Sequence, residues 1–494
     1  MGKFKMHNFE INSIIRERAY NHTAILIYIK ACIDVLGDVN VRIGNSLNQG
    51  FFTYIETDGS LDERTVRRIS ERMQKLIDAD IPINTETRPV RDAMRIWRNA
   101  RLYEKARLLE FCDPSETIDL CELDGYRNCF YGEVLPSTGY VFKFELRKYR
   151  RGMLLRLPNS LSPHEVPPYR DDDKLYDEYA DSKRMRRATG LDYLADLNER
   201  IRMGDADDII RASEAHHEKE LNEIADLIIE GDKRIILIAG PSSSGKTTTA
   251  KRLCNILAQK SEEPIYLGTD DYFVNRIDTP LGPDGTPDYE GLAALDLELF
   301  NSQMNALLNG ETVDIPEYDF ATGEKTFGKR ITEAKPGQAI VIEGIHSLND
   351  ELTRDIDPKE KFKIYISPLT QIAIDRHNRI STTDARKLRR MVRDNQFRSI
   401  DAATTISNWP KVRAGENSNI FPYSSSADFV FNSSTVYETN LLKSYAQPLL
   451  ESITKDMPQY DEARRMIGFL RLFEPISDAT AVPENSILRE FIGK

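Results

Sequence analysis

The chain has 494 residues, of which 40% are hydrophobic and 30% charged, the balance of a globular protein of about two or three domains. A formal net charge of −12 argues against a bulk binder of nucleic acid or of anionic membranes. Five cysteines (Cys32, Cys112, Cys121, Cys129, Cys254) form no CxxC pair, which points to reduced thiols in a cytoplasmic protein rather than to a disulfide scaffold.

The opening M-G-K-F-K-M-H-N carries no apolar leader core, and Met6 stands where a myristoylation motif has Ser or Thr. Residues 1–157 mix helices and short strands, so an α+β domain is expected. Ile25, Ile29, Cys32 and Ile33 make a helical stripe, and a second helix over 62–79 turns Val66, Ile69, Met73, Leu76 and Ile77 inward. The apolar run Ala24–Leu36 is interrupted by Lys30 and Asp34, so no membrane span is expected. A basic strand-like stretch bears Lys143, Arg147, Lys148, Arg150, Arg151 and Arg156. It suits either contact with RNA phosphates or a charge-protected sheet edge.

Proline and charge cluster in P-N-S-L-S-P-H-E-V-P-P-Y-R-D-D-D, which marks a boundary at 158–173. A helical linker follows to residue 231, with Leu191, Leu194 and Leu197, then Leu221, Ile224, Leu227 and Ile228, at helical spacing. His216 and His217 lie on this stretch and read as structural. Gly231 is expected to end the helix in the left-handed conformation. From 232 to 455 short apolar runs alternate with helical stretches. Five strands are expected, at 234–239, 264–268, 339–343, 362–366 and 428–431, in a doubly wound parallel α/β sheet with ligands at the strands' carboxyl ends. Residues 456–494 read as a C-terminal helical tail without chemistry.

The first of these strands runs into G-P-S-S-S-G-K-T-T, which fits G-x-x-x-x-G-K-[ST] between a strand and a helix. Gly240, Pro241, Ser242, Ser243, Ser244 and Gly245 wrap a loop whose backbone N–H groups suit the phosphates of ATP, with Lys246, Thr247 and Thr248 opening the helix. Lys246 reaches the β- and γ-phosphates, and the Thr247 hydroxyl suits Mg²⁺. After the second strand, Asp270 in L-G-T-D-D-Y-F is placed to take a proton from an attacking hydroxyl, with Asp271 able to do the same or to approach Mg²⁺. Glu343 ends the third strand and suits Mg²⁺ or its water shell. In R-K-L-R-R-M-V-R-D-N-Q-F-R, Arg389, Arg390, Arg393 and Arg398 lie at helical spacing on a lid, where guanidinium forks can grip phosphate charge.

In order, G-P-S-S-S-G-K-T, T-D-D-Y-F, A-L-D-L-E-L-F, I-P-E-Y-D-F, I-V-I-E-G-I, R-R-M-V-R-D and A-D-F-V-F-N resemble the uridine kinase/phosphoribulokinase group over about residues 232–450. The resemblance implies ATP-dependent phosphorylation of a nucleoside 5′-hydroxyl or of a related sugar alcohol. It puts Asp270 in the place of the catalytic base and Tyr318 on a substrate-lining tyrosine. Glu290 falls on an acidic ribose contact, with Asp288 as the alternative, and Arg390, Arg393 and Arg398 match lid and substrate arginines. Two positions depart from pyrimidine-specific members. Gly323 stands where they carry a base-contacting histidine, and Ile400 where they carry an arginine. Polar contacts supply most discrimination between similar bases, so neither uridine nor cytidine specificity follows.

The first 157 residues resemble the second additional, editing domain of threonyl-tRNA synthetase through N-H-T-A-I-L-I-Y, V-R-I-G-N-S-L-N-Q-G-F-F-T-Y-I, I-P-I-N-T-E-T and C-F-Y-G-E-V-L-P-S-T-G-Y. Of that domain's H-x-x-x-H and C-x-x-x-H signatures this chain keeps His22 and Cys129, while Leu26 and Glu133 replace the other two histidines. Leucine ligates no metal, so a closed His/Cys zinc site and editing hydrolysis are not expected. The reading that follows is a nucleoside kinase using ATP and Mg²⁺ on a small-molecule substrate, without a membrane and compatible with a homo-oligomer. A sugar-alcohol kinase and an RNA-linked regulatory ATP-binding protein are the alternatives. A GTPase is disfavoured, since no N-K-x-D-type motif follows the loop.

Overall fold

The computed structural model describes residues 9–56, 61–282 and 285–493; the opening M-G-K-F-K-M-H-N, and the reading made on it, lies outside them. Two compact units emerge. One comprises Met1–Gly204, Gln371–Ser381 and Asp461–Glu474; the other comprises Asp205–Thr370, Thr382–Tyr460 and Pro475–Lys494. The expected boundary at 158–173 does not separate them, and two later stretches of chain join the first unit.

In the first unit, α1 (Ile14–Leu36) starts at Ser13, whose hydroxyl accepts from the Arg16 N–H. Consecutive residues from Thr23 to Ile29 are all buried, as in a helix enclosed on every side. Against it lies α2 (Glu63–Asp78), capped by Asp62 and burying Val66, Ile69, Met73, Leu76 and Ile77, the face its spacing predicts. The strands are β1 (Asn40–Leu47), β2 (Gly50–Glu56), β3 (Asn84–Pro89), β4 (Thr117–Leu123), β5 (Tyr126–Asn128), β6 (Glu145–Tyr149) and β7 (Gly152–Arg156). They make two antiparallel sheets, ordered β1-β2-β7-β6 and β3-β4-β5. Helices α3 (Val90–Asn99), α4 (Tyr103–Leu108), α5 (Asp173–Thr189) and α6 (Leu194–Arg202) complete the run.

Most of the basic stretch around β6 and β7 is engaged locally. Arg156, 2% exposed, pairs with Glu145, Lys143 lies 2.8 Å from Glu165, Arg150 pairs with Asp173, and Arg147 stacks 4.0 Å from the Tyr169 ring centre. These contacts fit a charge-protected sheet rather than a free phosphate-binding face.

Residues 371–381 lie in sequence between stretches of the second unit, yet they pack within the first. Asp375 and Lys105, both fully buried, meet at 3.0 Å. Asp375 also accepts from the backbone N–H groups of His377 and Asn378, which makes it the hub of a turn. Arg376 grips Glu104 with two hydrogen bonds at 2.6 and 2.9 Å, and its carbonyl accepts from the Ile43 N–H.

In the second unit, α7 (Ala206–Glu230) leads to β8 (Ile235–Ala239), α8 (Lys246–Lys260), β9 (Ile265–Gly268) and α9 (Leu297–Leu308). Two short antiparallel pairs follow: β10 (Thr312–Asp314), β11 (Glu317–Asp319), β12 (Glu324–Thr326) and β13 (Ile331–Glu333), paired β10–β13 and β11–β12. Then come β14 (Ile340–Glu343), β15 (Lys361–Ser367), α10 (Thr382–Arg398), α11 (Ala402–Asn419), β16 (Phe429–Asn432) and α12 (Glu438–Glu451). Helix α13 (Tyr460–Leu470) contributes to the first unit, and α14 (Arg489–Ile492) ends the second.

All five expected strands are present, parallel and in the order β16-β15-β8-β14-β9. β8 and β15 are buried at every residue, as parallel strands covered on both faces require. Gly231 departs from expectation. It closes α7 at φ −82°, and the left-handed residue is Asp232 at φ +48°. The carbonyls of Leu227 and Ile228 are satisfied by the N–H groups of Gly231 and Lys233, so the chain reverses one residue later. Aspartate tolerates that conformation. His217 is buried against the Ser434 carbonyl at 3.2 Å, a structural role. Among the described residues no helix is long and apolar enough to cross a membrane.

Candidate active site

The site gathers at the carboxyl ends of β8, β9 and β14, where strand order reverses beside β8. After Ala239 the backbone bends sharply. A Cβ on Gly240 would stand 2.1 Å from the Ile366 carbonyl oxygen, so only glycine lets the loop leave the sheet here. Gly245 adopts φ +87° and caps α8, which begins at Lys246. The first N–H groups of α8 therefore face the cradle formed by Pro241, Ser242, Ser243 and Ser244, an arrangement suited to phosphate oxygens. Lys246 Nζ donates to the Gly240 carbonyl at 3.0 Å, which folds the side chain back over the loop.

The Thr247 hydroxyl donates to the Glu343 carboxylate, 3.1 and 3.2 Å from its two oxygens. Hydroxyl and carboxylate thus share one point beside the phosphate cradle. Burial raises the Glu343 carboxyl above the usual range, against the opposing pull of Lys246 and Thr247, while Asp270 and Glu490 raise it further. Among the described residues no group of three or more His, Cys, Asp or Glu gathers as a metal site. Mg²⁺ bound through one carboxylate, one hydroxyl and substrate phosphates needs no such group, so Thr247 and Glu343 fit it.

The two aspartates after β9 separate. Asp271 accepts from Arg330 at 2.6 Å. Asp270 makes no such pair among the described residues; Lys246 and Asp271 are the charges that act on it. The residue is exposed, but the protein around the carboxyl desolvates it and raises it above the usual range, with Lys246 opposing and Asp271 adding.

Asp288 and Glu290 divide in the same way. Asp288 Oδ1 accepts from the N–H groups of Glu290 and Gly291 at 3.1 and 3.0 Å, so it builds the turn. The Glu290 carboxyl is raised by burial, then by Asp288 and Asp270, with Arg390 opposing. Asp270 and Arg390 thus both act on the Glu290 carboxyl. His346, three residues after Glu343, is 3% exposed, and burial lowers its pKa against a hydrogen bond to the Glu290 backbone. A neutral histidine thus supports the Glu290 turn.

Tyr318 belongs to an aromatic cavity of about 290 Å³ lined by Phe273, Arg276, Tyr289, Tyr318 and Phe320. Tyr318 lies 5.5 Å from Phe273 and 5.1 Å from Phe320 by ring centres. A side chain at Gly323 would meet Arg276, whose Cβ and Nε lie 2.7 Å from the ideal Cβ position. Arg276 therefore fills the space beside Gly323, its guanidinium donating to the Phe320 carbonyl at 2.6 Å.

The lid arginines have unequal surroundings. Arg389 is fully buried, paired with Glu438 and donating to the Ser433 carbonyl, so it braces α10 rather than gripping a ligand. Arg390 reaches the Ser242 hydroxyl at 2.7 Å and also pairs with Asp394. Arg393 and Arg398 pair with the same Asp394, at 2.9 and 3.5 Å, and Arg398 is half exposed. Arg389 also donates to the Ser243 and Ser244 carbonyls at 3.4 Å, from behind the loop, while Arg390 meets a loop side chain, the Ser242 hydroxyl.

Glu416 on α11 has no counterpart among the expected residues. It is 3% exposed, accepts from the Ser242 backbone N–H at 2.8 Å, and pairs with Arg386, which itself donates to the Ser242 carbonyl. A lone glutamate in V-R-A-G-E-N has no local signature that marks this role.

In the first unit the editing-type positions do not converge. His22 Nδ1 lies 3.0 Å from the Glu133 main-chain carbonyl and its ring stacks on Phe130, while burial lowers its pKa to about 4. Leu26 is in the apolar core, and Cys129 lies beside Lys105 in a separate cluster.

A parallel sheet whose first strand opens into a phosphate loop, with an aspartate at the carboxyl end of β9, two strands away, has the architecture of a P-loop phosphotransferase. Sequence comparison narrows the class: the Phosphoribulokinase / Uridine kinase family matches residues 235–440. A uridine kinase of Macrococcus caseolyticus is 30% identical over 203 residues, 40% of this chain and 86% of the relative. A uridine kinase of Deinococcus deserti is 29% identical over 175 residues, 35% of this chain and 75% of the relative. A solved structure from Bacillus stearothermophilus, described as a possible uridine kinase, aligns with 43% of this chain and 99% of its own at 19% identity and a TM-score of 0.28. The chain belongs to the phosphoribulokinase/uridine kinase family, through its second unit.

Proposed function

We propose that the second unit transfers the γ-phosphate of ATP to the 5′-hydroxyl of a nucleoside. The observation that carries this reading is the division of the aspartates: Arg330 holds Asp271, while the Asp270 carboxylate stays free beside Lys246. In this reading Asp270 accepts the hydroxyl proton, Glu290 holds the ribose diol, and Tyr318 lines the aromatic cavity for a flat base. Lys246 and Arg390 steady charge on the transferred phosphoryl group. Mg²⁺, held by Thr247 and Glu343, would neutralise phosphate charge. A sugar-alcohol acceptor is the second reading, favoured by Gly323 and Ile400 at the two base-contact positions. ATP consumption measured across a panel of nucleosides and sugar alcohols separates the two; turnover only on sugar alcohols would overturn the nucleoside.

Asp270→Asn is expected to lower kcat by about 100-fold or more, the usual contribution of a positioned base, with ATP binding retained. The base works deprotonated and its carboxyl is raised. Activity should therefore rise with pH along an acid limb lying above the ordinary aspartate range near 4, and Asp270→Asn should remove that limb. Greater damage from Asp271→Asn would move the base by one residue.

For the first unit we infer a packing or recognition module without synthetase-type editing. Its support is the apolar Leu26 one turn from His22 and the engagement of His22 by a main-chain carbonyl. The full-length protein is expected to leave mischarged threonine tRNA intact and to carry no stoichiometric zinc. Hydrolysis that disappears in His22→Ala would reverse this inference.

A further inference from the structure

The last residues of the chain, well beyond the family-matched span, are seated on the phosphate loop. Ile487 is 1% exposed, and its Cγ2 lies 2.4 Å from where a Cβ of Gly245 would stand, so it abuts the turn between loop and helix. One helical turn later Glu490 accepts a hydrogen bond from the Thr248 hydroxyl at 2.8 Å. The segment is fixed from several sides. The Ser486 hydroxyl donates to Glu214 at 2.6 Å, Gln396 on α10 donates to the Ile492 carbonyl at 3.0 Å, and Arg389 lies 5.1 Å from the Phe491 ring centre.

Thr248 is the third residue of α8, beside the Thr247–Glu343 pair, and its hydroxyl belongs to the donor set from which a bound polyphosphate would draw. Glu490 has no cationic partner within ion-pair distance among the described residues. Its negative charge is felt at Glu343. By contrast Glu416, which accepts from the Ser242 N–H of the loop, is paired with Arg386. A uncompensated carboxylate at this point competes with a nucleotide phosphate for the Thr248 hydroxyl and repels it.

We propose that Glu490 is a gating residue of the donor-nucleotide site: an internal anion on the phosphate loop that MgATP must displace, so that the C-terminal segment sets the affinity for ATP. This rests on the reading of the loop as an ATP site. It makes the tail, through its ties to α7 and α10, a tuning element for nucleotide affinity rather than a passive end of the chain.

The test is the full-length Glu490→Gln protein, which keeps the side-chain shape and the acceptor oxygen but loses the charge. MgATP binding is measured by calorimetry, and KM for ATP and kcat are measured separately. Glu490→Gln is expected to bind MgATP at least threefold more tightly and to lower KM for ATP, with the KM for the acceptor unchanged. Glu490→Asp, which shortens the reach to Thr248, should shift affinity in the same direction and guards against a folding defect in the amide variant. Unchanged MgATP affinity in both variants would reduce the contact to a structural tie, and weaker binding would make Glu490 a nucleotide ligand. Either result overturns the gate. Failure of the wild-type protein to bind MgATP at all would instead bring down the ATP reading itself, and the gate with it.

Discussion

Replacing Lys246 with alanine is expected to lower phosphoryl transfer by about 100-fold or more while leaving the protein folded. The amine opens α8 and folds over the loop, 3.0 Å from the Gly240 carbonyl. From there it can reach phosphate charge that develops during transfer, and loss of one such electrostatic contact typically costs about 100-fold to 1,000-fold in rate. The structural cost is small. Lys246 is half-buried and gives up a single hydrogen bond, to the Gly240 carbonyl. A coupled assay of ATP consumption, with circular dichroism as the folding control, decides the matter. Near-normal turnover in a folded variant would remove the phosphate loop from the chemistry.

Lys105→Ala is expected to have the largest effect on stability, about 3–5 kcal/mol in the first unit, because it leaves Asp375 buried without its cation. Burial alone would pull the Lys105 amine down. Asp375, with Cys129 and Glu104, outweighs that and leaves it raised, so the amine stays charged. The loss reaches beyond the pair, since Asp375 also organises the turn at His377 and Asn378, and Asn378 reaches the Cys129 carbonyl at 3.1 Å. Urea denaturation followed by a probe in the first unit measures the change. Combining Lys105→Met with Asp375→Asn gives a neutral pair that keeps the turn's acceptor oxygen, and should recover part of the loss. An unchanged denaturation midpoint in Lys105→Ala would show that the pair contributes little.

The two predictions differ in how they could be anticipated. Lys246 stands in a motif whose loop, helix start and lysine are adjacent in sequence, so its place follows from local geometry. Lys105 sits in an unremarkable helical stretch, and its partner is 270 residues further on. No periodicity marks a lysine that will be fully buried, and the usual expectation for its side chain is exposure.

The same contrast runs through the candidate site. Asp270 and Asp271 are equivalent as sequence, and both lie at the end of β9. Arg330, 59 residues away, pairs with one and leaves the other free. Asp288 and Glu290 are likewise alternatives as sequence, and the backbone turn enlists Asp288 as a cap. The arginine run reads as one uniform lid, yet Arg389 is buried against Glu438 and the loop carbonyls, Asp394 gathers Arg393 and Arg398, and Arg390 reaches the Ser242 hydroxyl. The tail from 456 onward shows no chemistry in its sequence, and Glu490 finds Thr248 across 242 residues.

By itself the sequence determined the phosphate loop, the five strands of the parallel sheet and the edge at which the site forms. Those features depend on short-range causes: apolar runs that must be covered on both faces, glycines where the backbone bends, and a helix opening directly behind the loop. Only the tertiary structure decided which charged groups are neutralised and which remain free, where residues 371–381 are buried, and that Glu416 and Glu490 lie on the loop. Charge pairing is set by distance in space between side chains far apart in the chain. A single glutamate or lysine has no period to reveal its partner, so its role exists only once the fold has brought the two together.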